Sequence, residues 1–146
     1  MSPTQNLDTY YVYNAAGYPI YVIQPQALVL MATNNNNYSL TQTGVNNLIF
    51  SFIYDNLGRL VQKNVPGSAP VYYIYDPYNR PVLMQDGNLR ANNQWNYVKY
   101  DAKGRAISQG IYTDNTSTHL GGLNGGMQAY VTGLASYSTT NYSTTC

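Results

Sequence analysis

The chain has 146 residues and a mass of 16.3 kDa, enough for one ordinary domain with a core of its own. Only 9% of its residues are charged, against about 25% in an average globular domain, and glutamate is absent. Seven Lys and Arg against six Asp leave a net charge of +1, which excludes a basic nucleic-acid-binding domain and an acidic disordered tail and leaves little repulsion between copies.

In chain order the sequence predicts β-structure along most of its length. Residues 1–6 hold neither a charged stretch nor an apolar one, so no secretory signal is expected there. Strands are expected near 8–13, 18–23, 47–54, 59–65, 71–75, 80–85, 94–100 and 105–113. Tyr11 and Tyr13, Phe52 and Tyr54, and Tyr73 and Tyr75 each fall two apart, which places each pair on one strand face. Residues 24–46 read as an irregular insertion. Within it, Ala27-Leu28-Val29-Leu30-Met31-Ala32 fits either a helix or a strand, and Asn34-Asn35-Asn36-Asn37 a loop. Val65-Pro66-Gly67-Ser68-Ala69-Pro70 and Asp86-Gly87-Asn88 supply further turns. Residues 1–113 thus form the repeat region, and 114–146 a Gly/Ser/Thr-rich tail expected to run extended against a neighbour. Ala129-Tyr130-Val131 and Tyr137 alternate as they would along a strand edge. No apolar run approaches the roughly 18 residues of a membrane span.

Catalytic equipment is sparse. The single histidine, His119, and the single cysteine, Cys146, are far apart and unsupported by any glutamate. They make no recognisable metal site or nucleophile constellation, so no catalytic residue, cofactor or metal is expected. Asn37-Tyr38-Ser39, Asn115-Thr116-Ser117 and Asn141-Tyr142-Ser143 match the glycosylation sequon, a match that Asn- and Ser-rich chains produce readily by chance.

The organising feature is a repeat. Tyr13-Asn14-Ala15-Ala16-Gly17, Tyr54-Asp55-Asn56-Leu57-Gly58-Arg59, Tyr75-Asp76-Pro77-Tyr78-Asn79-Arg80 and Tyr100-Asp101-Ala102-Lys103-Gly104-Arg105 align without gaps. Half of the six Asp lie in this one pattern. Asn14, Asp55, Asp76 and Asp101 stand where a short polar side chain accepts turn N–H groups. Gly17, Gly58, Asn79 and Gly104 stand where a type I turn is followed by a left-handed residue, the closure of a bulged hairpin. Arg59, Arg80 and Arg105 open the returning strands, across the turn from their Asp and within reach of a neighbouring Tyr ring.

These motifs resemble the YD repeat of RHS proteins over about residues 9–112. Asp76 to Asp86 and Asn93-Gln94-Trp95 are similar to the Bacteroidetes-type version. The resemblance implies an all-β fold of successive antiparallel hairpins in a continuous twisted strip. It also implies a secreted or cell-surface setting, and relatives whose strips form hollow shells around C-terminal toxins, some associated with carbohydrate. About four motifs are too few to close a shell, and Asp76-Pro77-Tyr78-Asn79 lacks the Gly of the family's autoproteolytic core. The chain is therefore expected to be a fragment, or a small structural relative that self-associates through strand edges into a filament or tube. A carbohydrate-binding module, with tyrosines stacking on sugars, is the alternative. No nucleic-acid partner is expected.

Overall fold

A computed structural model describes residues 7–33, 39–116 and 126–137. His119, Cys146 and the run Asn34 to Asn37 lie outside them, and so, wholly or in part, do the three sequons.

Eight strands form one antiparallel sheet in sequence order: β1 (Tyr10–Tyr13), β2 (Pro19–Ile23), β3 (Ile49–Tyr54), β4 (Leu60–Asn64), β5 (Val71–Tyr75), β6 (Pro81–Gln85), β7 (Gln94–Tyr100) and β8 (Ala106–Thr113). Each falls inside a segment expected from Tyr, Val and Ile alternation. The register slips by one residue at Val12/Tyr13, Ile74/Tyr75 and Lys99/Tyr100, just before the turns. That slip is the bulge a left-handed turn residue imposes.

Among the described residues three short helices accompany the sheet: α1 (Pro25–Ala32), α2 (Gly87–Ala91) and α3 (Met127–Tyr137). The ambiguous apolar run after β2 is helical. Pro25 opens α1 where its missing N–H costs nothing, and Ala27 and Met31, four apart, are the buried pair. The expected turn at Asp86-Gly87-Asn88 continues instead into α2, because Asp86 Oδ1 accepts the Leu89 N–H at 2.9 Å and caps a helix. The tail departs most from expectation. Residues 127–137 are a helix rather than an extended edge strand: Met127 and Val131, one turn apart, are buried, while Gln128 and Thr132 line a second face. A three-residue alternation was too short to decide between the two periods.

The chain divides into two compact units. In the first (Met1–Ile53 with Lys63–Ala69), Ile23, Ala27, Met31, Val45 and Ile49 form the core, with a 3-10 turn at Val45–Asn47 closing it. In the second (Tyr54–Gln62 with Pro70–Cys146), Ile74, Val82, Leu83, Trp95, Met127 and Val131 form the core, bordered by Tyr72, Tyr97, Tyr100, Tyr112 and Tyr130. Gln128 of α3 fastens that helix to the sheet. Its Oε1 accepts the Tyr75 N–H at 3.0 Å and its Nε2 donates to the Tyr75 carbonyl at 2.8 Å. One amide side chain thus satisfies both backbone groups of a strand end.

Candidate functional site

The site is the set of turns that the repeat pattern singled out. In each Asp turn one carboxylate oxygen organises the backbone and the other holds the arginine. Asp55 Oδ1 accepts the Leu57 and Arg59 N–H groups, both at 2.9 Å. Asp76 does the same for Tyr78 and Arg80, and Asp101 for Lys103 and Arg105, all at 2.9 Å. The second oxygen takes the guanidinium: Arg59 Nε at 2.7 Å and Nη2 at 2.7 Å on Asp55, Arg80 Nε at 2.7 Å and Nη2 at 2.6 Å on Asp76, and Arg105 Nε at 2.7 Å on Asp101. Gly58 (φ 76°), Asn79 (φ 63°) and Gly104 (φ 79°) are left-handed, and Asn79 tolerates this because a short amide is among the least hindered side chains there.

The first turn keeps the backbone scheme without the charge. Asn14 Oδ1 accepts the Ala16 and Tyr18 N–H groups at 3.0 Å each, Gly17 is left-handed at φ 83°, and Tyr18 replaces the arginine.

Electrostatics follow from these bonds. Burial pushes the Asp55 carboxyl up, but donation from the Arg59 N–H, the Arg59 guanidinium and the Leu57 N–H outweighs it and leaves the group below its ordinary value. At Asp101 the Arg105 N–H and guanidinium lower the carboxyl. The Tyr75 hydroxyl is raised, chiefly by burial.

The arginines also reach forward to the next hairpin. The Arg59 guanidinium lies 4.8 Å from the Tyr75 ring centre, and its Nη1 donates to Asn79 Oδ1 at 3.1 Å and, at a long 3.5 Å, to the Asp76 carbonyl. Arg80 repeats this one hairpin later, 4.8 Å from the Tyr100 ring, with Nη1 3.4 Å from the Asp101 carbonyl; it also lies 5.1 Å from the Tyr78 ring. The tyrosines answer in the opposite direction. Tyr75 donates its hydroxyl to the Leu60 carbonyl at 2.8 Å, and Tyr100 to the Pro81 carbonyl at 3.0 Å. Each acceptor directly follows an arginine of the motif. The result is a ladder in which the Asp and Arg of one hairpin seat the Tyr and Asp of the next.

Two contributors were not evident from the pattern. Arg90 of α2 lies 4.3 Å from the Tyr72 ring and donates to the Pro70 carbonyl, and Gln85, buried, donates to the Gln94 carbonyl at 2.9 Å. Neither residue recurs in phase with the repeat. An open recess elsewhere, lined by Leu7, Thr9, Gln24, Pro25, Gln26 and Val29, carries no charged group. Among the described residues no three His, Cys, Asp or Glu side chains gather as metal ligands would.

Comparison with solved structures places this geometry among known folds. The chain is similar to part of TcdB2-TccC3, in the crystal structure without the hypervariable C-terminal region, at a TM-score of 0.51 and 20% identity over 75% of this chain and 5% of that one. It is also similar to a chain of the Photorhabdus luminescens Tc holotoxin pore, at a TM-score of 0.51 and 18% identity over 85% of this chain and 6% of that one. The fold is similar to that of a segment of these chains. The chain spans about a twentieth of the length of those proteins, and at such identities the likeness establishes the fold alone. Neither a protein-family model nor a curated protein matches the sequence.

Proposed function

We propose that this chain is a non-enzymatic structural element of the RHS/YD-repeat kind, a length of β-repeat wall that works outside the cell by extending a sheet. The observation that supports this best is the ladder. Asp55, Asp76 and Asp101 are each closed by their own turn and arginine, and Arg59 and Arg80 face the following hairpin. Such chemistry stabilises a sheet in the direction of strand addition and leaves these carboxylates unsuited to proton transfer. The likeness of fold to Tc toxin chains agrees with a wall role, whether the strip belongs to a larger shell or to a self-associating protein. The extracellular setting rests on the sequence resemblance.

In a screen of glycoside, peptide and ester substrates, the chain and its Asp86→Ala variant are expected to give the same background rate. Turnover that Asp86→Ala abolishes would overturn the structural reading.

One observation favours sugar binding as a second reading: Tyr10, Tyr11 and Tyr13 are exposed on β1, and the Tyr11 and Tyr13 rings stack at 6.5 Å between centres. A glycan array comparing the chain with Tyr11→Ala separates the two, since only the sugar reading predicts binding that the variant loses.

A further inference from the structure

The ladder stops at Arg105. Arg59 and Arg80, seated against the next hairpin, have side chains 18% and 27% exposed, whereas the Arg105 side chain is 73% exposed. Among the described residues no aromatic ring lies over its guanidinium. β8, which Arg105 opens, is the last strand in the sheet order and is exposed along almost its whole length, with Ile107 and Ile111 bare. By the repeat rule the missing occupant is a strand ending in Tyr followed by Asp or Asn. β1, the first strand of the order, ends in Tyr13-Asn14, and Tyr13 is exposed.

We propose that β8 of one copy pairs antiparallel with β1 of a second copy, so that Tyr13 and Asn14 of the second copy complete the Arg105 seat and continue the ladder. Tyr13 of the second copy then stacks on the Arg105 guanidinium and donates its hydroxyl to the Ala106 carbonyl, the counterpart of Leu60 and Pro81. Arg105 Nη1 donates to the backbone carbonyl of Asn14 of the second copy.

The register of this joint follows from the hairpins already in place, and it supplies an independent check. β6 and β7 pair Leu83 with Tyr97 and Met84 with Asn96. The equivalent positions, counted from each motif's Arg and Tyr, are Ser108 with Tyr10 of the second copy and Gln109 with its Thr9. Carried along the strands, that register sets Ile107 opposite Tyr11 and Ile111 opposite Leu7. All four of these side chains are exposed large hydrophobics in the single chain. A register chosen from the arginine ladder alone therefore matches apolar with apolar at two further positions, as cross-strand stabilisation requires. Neither edge carries Pro within its strand, and β8 carries no Lys, so these means of blocking edge pairing are missing. The contact is heterologous: each copy offers β8 to one neighbour and β1 to another, so it generates an open strip or a ring.

This inference rests on the structural reading of the ladder, but its test separates the two. In a Cys146→Ser background, one full-length chain carries Tyr11→Cys and another Ile107→Cys. Opposed Cα atoms on antiparallel strands lie about 4.5–5.5 Å apart, within disulfide reach. Under mild oxidation the mixture is expected to form a disulfide-linked dimer that neither chain forms alone and that the shifted pair Tyr11→Cys with Ile111→Cys does not form. Arg105→Ala, at an exposed position and with Trp95 fluorescence as the check on folding, is expected to weaken association about tenfold, the loss of one ring contact and one hydrogen bond. Absence of the mixed dimer, equal cross-linking of the shifted pair, or a compact monomer at all concentrations would overturn the joint. None of these outcomes touches the ladder inside the chain, which the stability variants discussed below test separately.

Discussion

Asp76→Ala is the substitution that most sharply tests the chemistry assigned to the turns. Asp76 is 3% exposed, and its carboxylate accepts four hydrogen bonds: from the Tyr78 and Arg80 N–H groups and from Nε and Nη2 of Arg80. Removing it leaves two turn N–H groups without their acceptor, at about 1 kcal/mol each. It also leaves a largely covered guanidinium without its counter-charge, at about 1.5–3 kcal/mol, toward the lower end because Arg80 keeps partial access to water. The expected loss is therefore about 3–5 kcal/mol, a large share of the roughly 5–15 kcal/mol that holds a domain folded. Asp76→Asn separates the two contributions. Asn14 demonstrates that an amide oxygen can organise this turn, so the variant keeps the backbone bonds and loses mainly the ion pair, about 1.5–3 kcal/mol. The assay is urea unfolding followed by Trp95, the only tryptophan, which is fully buried in the same unit. With a slope of about 2 kcal/mol per molar urea, Asp76→Ala lowers the midpoint by roughly 2 M and Asp76→Asn by roughly half as much. Equal midpoints for the two variants, or a loss below 1 kcal/mol for Asp76→Ala, would refute the division of labour between the two oxygens.

Three further outcomes are expected. Gly104→Ala, at φ 79°, is expected to cost about 1–2 kcal/mol of folding stability in the same titration, whereas Gly104→Asn is expected to be better tolerated, because a side chain there meets Arg80 as Asn79 meets Arg59. Asp55 and Asp101 both have lowered carboxyls, so their contribution is present above the unfolded-chain value near 3.9 and is lost as pH falls through the lower folded values; a variant carrying Asp55→Asn and Asp101→Asn is expected to show a shallower fall in the urea midpoint below about pH 4. Gln128→Ala removes the clamp on both backbone groups of Tyr75, and hydrogen exchange is expected to report faster exchange of the Tyr75 amide with little change at Leu83.

The positions of all eight strands were legible because Tyr, Val and Ile alternate between turn signals of fixed form, and a two-residue period needs only four or five positions to register. The closure of each turn was legible for the same reason: an Asp four residues before an Arg, with a Gly or Asn between, has few other ways to satisfy its backbone. The forward reach of Arg59 and Arg80 was only half legible. A neighbouring Tyr ring was expected, but which ring depends on strand order, and Tyr75 and Tyr100 lie 16 and 20 residues beyond their arginines. The tyrosine hydroxyls' choice of Leu60 and Pro81 carbonyls leaves no trace in sequence, because any residue presents a carbonyl. α3 left no clear sequence signal because Tyr130, Val131 and Thr132 are weak helix formers and Gly133 interrupts the segment, so tertiary burial of Met127 and Val131 outweighs weak local propensity.

The central claim, that one hairpin's arginine seats the next hairpin's tyrosine, is tested most directly by a double-mutant cycle on Arg80 and Tyr100. Arg80→Met and Tyr100→Leu, alone and together, are compared by urea unfolding with Trp95 as reporter. The 4.8 Å approach of guanidinium to ring predicts a coupling of about 1 kcal/mol, so that the double variant is less destabilised than the two single losses added. Strict additivity would mean that the hairpins stand side by side without the ladder that joins them.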